Sequence, residues 1–177
     1  SRLTPRTNAM ASFAEFFTAN LFFVTQHSVG GEPVLVNEMM MRLMQVALNW
    51  AKERAPYERV GYLFLPDQIH LLLRPTGTAT LDRIMQRTRQ RFQLEYHELL
   101  NMPGETLLWQ EDYEARRVQD VEQLALYLDA MHLLPVERGL VEQPAAWPYS
   151  SVTLWQERGI YPPRWGWRVP TTVPNDS

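Results

Sequence analysis

The run from Arg59 to Arg74 constrains the fold of this chain more than any other. Two apolar segments, Arg59 to Leu65 and Gln68 to Arg74, are separated only by Pro66-Asp67. A turn dipeptide leaves no room for a crossover, so the two must pair as an antiparallel β-hairpin. Successive strand residues alternate faces. Ile69, Leu71 and Leu73 therefore point to one side, into a core, while Gln68 and His70 stand side by side on the other.

The flanking segments extend that sheet. Leu21 to Ser28 is β-branched and aromatic and runs into Gly30-Gly31, a strand followed by a turn. Asn37 is a helix N-cap, and Met40, Leu43, Met44, Ala47 and Ala51 recur at helical spacing until about Arg54, before Pro56. Thr80 caps a second helix from Leu81 to about Leu100, ended by Pro103-Gly104. Leu107 to Val118 reads as a fourth strand kinked around Glu111-Asp112. Asp120 caps a third helix from Val121 to about Leu133, closed by Pro135 and Gly139. The order predicts an α/β (α+β) fold: a ferredoxin-like split βαβ with an antiparallel sheet and helices on one face. Residues 1–20 read as an N-terminal arm and 21–142 as the main domain. Residues 143–177 read as an aromatic-rich extension of that domain with one short helix, Ser151 to Arg158.

Composition narrows the function. The 177 residues suit one domain, and the lack of cysteine excludes disulfide scaffolds, thiolate zinc sites and a cysteine nucleophile. With no membrane span and no export signal in the sequence, the cytoplasm is the expected location. Of 17 basic residues only Lys52 is lysine. Arginine suits phosphate and base contacts, although codon usage in a GC-rich genome gives the same bias. With a net charge of -3, any nucleic-acid site must be a local patch. Arg83, Arg87 and Arg91 fall on one stripe of the second helix, with Arg89 nearby and Arg116-Arg117 on the fourth strand after Tyr113. These six are the expected DNA-binding residues: the helix arginines as a phosphate track that neutralises backbone without reading sequence, and the strand pair beside Tyr113 as a place for base stacking. Trp147, Trp155, Trp165 and Trp167 are expected to pack the core and its lid.

Five short motifs, in order, resemble the REP-associated tyrosine transposase branch of the HUH single-strand DNA transposases. They are Val24-Thr25 on the first strand, Pro66-Asp67-Gln68-Ile69-His70-Leu71-Leu72 on the β-hairpin, and Leu108-Trp109-Gln110. Ala130 to Val136 with Gly139-Leu140-Val141 follows, then Trp147-Pro148-Tyr149-Ser150-Ser151. The resemblance spans roughly residues 21 to 165. It implies a helix tyrosine that attacks a DNA phosphodiester, and two strand histidines plus an Asn or Gln holding Mg²⁺ or Mn²⁺. The implied substrate is single-stranded DNA folded into hairpins.

The departures fall on those positions. Gln68 replaces the first histidine, Ala130 the nucleophile and Leu134 the third ligand, so only His70 remains. The expectation is a protein that binds hairpin DNA with a degraded nicking site and no tightly bound cofactor. The rival is an active enzyme using Tyr127, one helical turn before Ala130, with a metal site rebuilt around His70, Gln68 and His132. A third reading, a protein-interaction module, requires an exposed apolar patch and no basic groove. The sequence leaves the oligomeric state open between monomer and homodimer.

Overall fold

The computed structural model describes residues 13–102 and 106–167. Strands β1 (Phe22–His27), β2 (Tyr57–Leu65), β3 (Gln68–Pro75) and β4 (Glu114–Arg117) form one antiparallel sheet in the order β2-β3-β1-β4. Helix α1 (Glu38–Arg54) joins β1 to β2, and α2 (Leu81–Leu100) joins β3 to β4. The central pairing of β1 with β3 and the two crossovers are those of the split βαβ arrangement. Helix α3 (Val121–Glu137) and the short α4 (Val152–Glu157) follow β4.

Local chemistry sets the helix starts. The side chains of Asn37, Thr80 and Asp120 accept hydrogen bonds from the backbone N–H of Met40, Arg83 and Gln123. The third helix runs past Leu133, through Pro135, to Glu137. A proline this close to a helix end forfeits one hydrogen bond without ending the helix. Gly139, at φ +73°, then turns the chain. The fourth strand is shorter than Leu107 to Val118: only Glu114–Arg117 pairs with β1, and before it Trp109 makes a single bridge to Ser28.

Two cores sandwich the sheet. On one face α1 and α2 bury Met40, Met44 and Phe92 against Ile69, Leu71 and Leu73. Helices cover that face as the alternation in β3 requires. On the other face α3 and the extension bury Leu128, Met131, Val152 and Trp155 against Leu63, Leu65 and Leu72. Phe13 belongs to this second core and packs against Trp155, centroid to centroid 5.5 Å, so the described end of the 1–20 arm lies within the domain.

Extension residues also close one sheet edge. Phe64 N–H donates to the Tyr149 carbonyl (2.9 Å) and Ser151 N–H to the Tyr62 carbonyl (3.0 Å). The indoles of Trp147 and Trp155 donate to the carbonyls of Phe64 and Val60. These bonds satisfy an edge strand that would otherwise template pairing with another chain. Trp155 and Trp165 are buried, as expected, and Trp147 packs partly against both cores; Trp167 is 40% exposed.

Candidate nucleic-acid interface

Strand alternation places Gln68 and His70 of β3 and Phe23 and Thr25 of β1 on the face that α3 crosses. Thr25 and His70 are cross-strand partners, and Thr25 Oγ1 lies 3.0 Å from His70 Nδ1. His70 is buried, and its Nε2 has no hydrogen-bond partner among the described residues. Burial pushes the imidazole pKa down to about 4, with the nearby His27 and Arg138 adding to the effect, so the ring is neutral at pH 7.

Two contacts fix the path of α3 over this face. At one end Tyr127 stacks on Phe23 (4.7 Å, 11°), which stacks in turn on His70 (5.7 Å, 17°). At the other, Arg138 pairs with Asp67 in the β2–β3 turn at 3.0 Å. From Tyr127 to Arg138 the helix advances about 16 Å. From Leu72, the cross-strand partner of Phe23, to Asp67 the strand advances about 17 Å. The helix therefore runs along β3 in the opposite direction, and its Ala130–Leu134 turn passes over the stretch between Leu72 and Asp67. Ala130 is exposed on the helix rim and Leu134 is half-buried.

These side chains differ from the two strand histidines and helix amide that the family resemblance implies for a divalent ion. The imidazoles of His70 and His27 and the neutral amide of Gln68 share this face with a leucine, and a guanidinium close enough to act on His70 opposes a second cation. Among the described residues no group of three or more His, Cys, Asp or Glu could hold a metal. His132 stands apart from His70: it is fully buried, with Nδ1 2.8 Å from Tyr161 Oη and Nε2 2.7 Å from Ser151 Oγ. Both ring nitrogens are thus engaged in locking the extension to α3, which removes His132 as a substitute ligand.

The arginines are spread over three surfaces. Arg91 pairs with Glu95 at 2.5 Å and lies 5.4 Å from the Trp50 ring of α1, so the stripe of Arg83, Arg87 and Arg91 turns toward α1. Arg89 instead donates to Gln26 (2.9 Å), between α2 and the sheet. Arg116, the cross-strand partner of Phe23, shares the His70 face and lines a cavity of about 230 Å³ with Thr25, Glu114 and Tyr127. Arg117 points to the other face, 5.5 Å from the Phe22 ring. Sequence reasoning missed Phe23 and Arg138. The signal for Arg138 was its place two helical turns after Ala130, on the stripe that holds Leu134.

A search of family models found no match. Over 122 residues the chain is 30% identical to a REP-associated tyrosine transposase of Haemophilus influenzae, covering 64% of this chain and 69% of that protein. A REP-associated tyrosine transposase of Escherichia coli is 22% identical over 125 residues, covering 70% and 72%. Among solved structures, a REP-associated tyrosine transposase bound to a REP hairpin superposes with a TM-score of 0.71 at 19% identity, over 84% of this chain and 86% of that one. This likeness concerns the fold. Among the described residues, no helix is long and apolar enough to cross a membrane.

Proposed function

We propose that this chain, which belongs to the REP-associated tyrosine transposases, binds single-stranded DNA folded into hairpins and does not nick it. Family membership and the hairpin-bound fold relative support the ligand class. Members of the family use a divalent ion for cleavage. The observation that carries the loss of nicking is the rim of α3 above His70. An alanine and a leucine occupy the positions at which the family resemblance implies the nucleophile and the third ligand, and neither can attack phosphorus or bind a cation.

In this reading the His70 face still receives DNA. Arg116 supplies a phosphate contact at the open β1–β4 side, and the Tyr127–Phe23 stack supplies an aromatic step for a base. Cytoplasmic location follows from that role and is part of the proposal.

One observation favours a second reading. Tyr127 stands on the same rim as Ala130, one ring away from His70 and beside Arg116. If it is a nucleophile, the chain is an active nickase. A labelled DNA-hairpin assay with and without Mg²⁺ or Mn²⁺ separates the two. The proposed function expects salt-sensitive binding that favours the hairpin over duplex, with no covalent protein–DNA adduct. An adduct that disappears in Tyr127→Phe establishes the second reading, and a preference for duplex defeats both.

A further inference from the structure

A second cavity lies on the sheet face opposite His70. It is a groove of about 980 Å³ between α2 and the 107–115 segment. Neither the arginine stripe nor the α3 rim takes part in it. Gln86, Gln90 and Gln93 recur on one side of α2 and line the groove with amides. Leu94, Leu107 and the Tyr113 ring give it apolar walls.

Its floor holds two polar atoms without partners among the described residues. Trp109 is 2% exposed and His97 is 5% exposed, and both line the groove. Trp109 Nε1 and His97 Nδ1 are buried without a hydrogen bond. The other nitrogen of His97 lies 3.0 Å from the Thr106 carbonyl. A carbonyl only accepts, so Nε2 carries a proton, and in that tautomer Nδ1 has a lone pair to offer. Beneath the groove there are thus one N–H donor and one nitrogen acceptor, both desolvated. Such groups cost free energy until a ligand satisfies them.

Charge decides what enters. Asp82, Glu111 and Asp112 rim the groove against Arg89 alone, which leaves the rim net negative. Asp82 also accepts the Tyr113 hydroxyl. This rim repels phosphate, so the groove is no backbone track. A ligand must be flat, uncharged and edged with both donors and acceptors. We infer that this groove is a binding pocket for a single unstacked nucleobase, read by the amides and by the Trp109–His97 pair. The base comes either from an unpaired nucleotide of the bound DNA or from a free nucleoside, and both offer the same edge chemistry.

The test follows the indole N–H of Trp109 in ¹H–¹⁵N spectra of the full chain, assigned by its disappearance in Trp109→Phe. Three ligands are titrated: millimolar deoxynucleosides, a DNA hairpin with unpaired flanking nucleotides, and the same hairpin with abasic flanks. Deoxyribose 5-phosphate is the control. The expected result is that at least one base-bearing ligand moves the Trp109 signal while the control and the abasic hairpin do not. Trp109→Phe should weaken that ligand about tenfold, the loss of one buried hydrogen bond. Gln90→Leu, on the exposed helix side, provides a second variant that leaves the core intact and should also weaken it. A signal that moves only with DNA assigns the base to the flank, and one that moves only with nucleosides assigns it to a free ligand. A stationary signal with every ligand overturns the inference, as does equal movement with the abasic hairpin. Hairpin affinity, read in the same titration, scores the proposed function separately: tight hairpin binding with a stationary Trp109 refutes the pocket alone.

Discussion

Acidification should unfold this protein through His70. The ring is buried and neutral in the fold, with a pKa near 4, against about 6.5 in an unfolded chain. Between those values the unfolded state takes up a proton that the native state refuses. Stability from this group is therefore complete above pH 6.5 and is lost as pH falls toward 4. The gap is worth about 3 kcal/mol, a sizeable fraction of an ordinary domain's stability. In urea, where the slope is about 1–3 kcal/mol per molar, the midpoint should fall by about 1–3 M over that range. Other groups titrate in the same window, so the measurement is a difference. Urea curves of the parent and of His70→Asn, which can keep the contact with Thr25, are compared at pH 7.5 and pH 4. The stability advantage of the parent over the variant should shrink by about 3 kcal/mol on acidification. A difference that stays flat across the window would show that the ring is solvated, and the account of its burial would fail.

Three further outcomes follow from packing and charge. Gly61→Ala puts a methyl 2.9 Å from Leu128 Cδ2 and 3.0 Å from Met131 Cε, so α3 must lift or repack; thermal melts should show a loss of about 1–2 kcal/mol. Ser151→Ala removes the acceptor for Tyr62 N–H and the partner of His132 Nε2, at a cost of about 2 kcal/mol, or about 4–8 °C in Tm; an unchanged melt would mean the extension is not clamped there. Arg116→Ala should flatten the salt dependence of hairpin binding by about 0.7 units, whereas Arg117→Ala, on the opposite face, should leave it alone. Equal effects from the two would place DNA elsewhere.

Much of this architecture was legible because it is written locally. The Pro66-Asp67 turn, the three capping side chains and the alternation in β3 each act within a few residues, and each reading matches the observed elements. Proline misled at Pro135, because its cost depends on how much helix remains beyond it. The fourth strand was overestimated because apolar character at Leu108 and Trp109 goes into the α2 side of the core rather than into pairing with β1. The site was harder to read. Spacing alone placed Arg83, Arg87 and Arg91 on one stripe and set Glu95 one turn after Arg91, but only the docking of α1 decides that Arg91 meets Trp50. Arg138 and Phe23 matter through the route of α3 across the sheet. That route is a tertiary property with no signature in either segment.

The anchoring of α3 has an evolutionary reading. The helix is held at Tyr127, at Arg138 and, in between, by the close approach of Leu128 and Met131 to Gly61. Ala130, exposed on the same helix, bears on none of these supports. Selection that acts only on folding and abundance has no purchase there, so a side chain at that position can be lost or regained at little cost to the scaffold. Chemistry on this rim is maintained only while something selects for the chemistry itself.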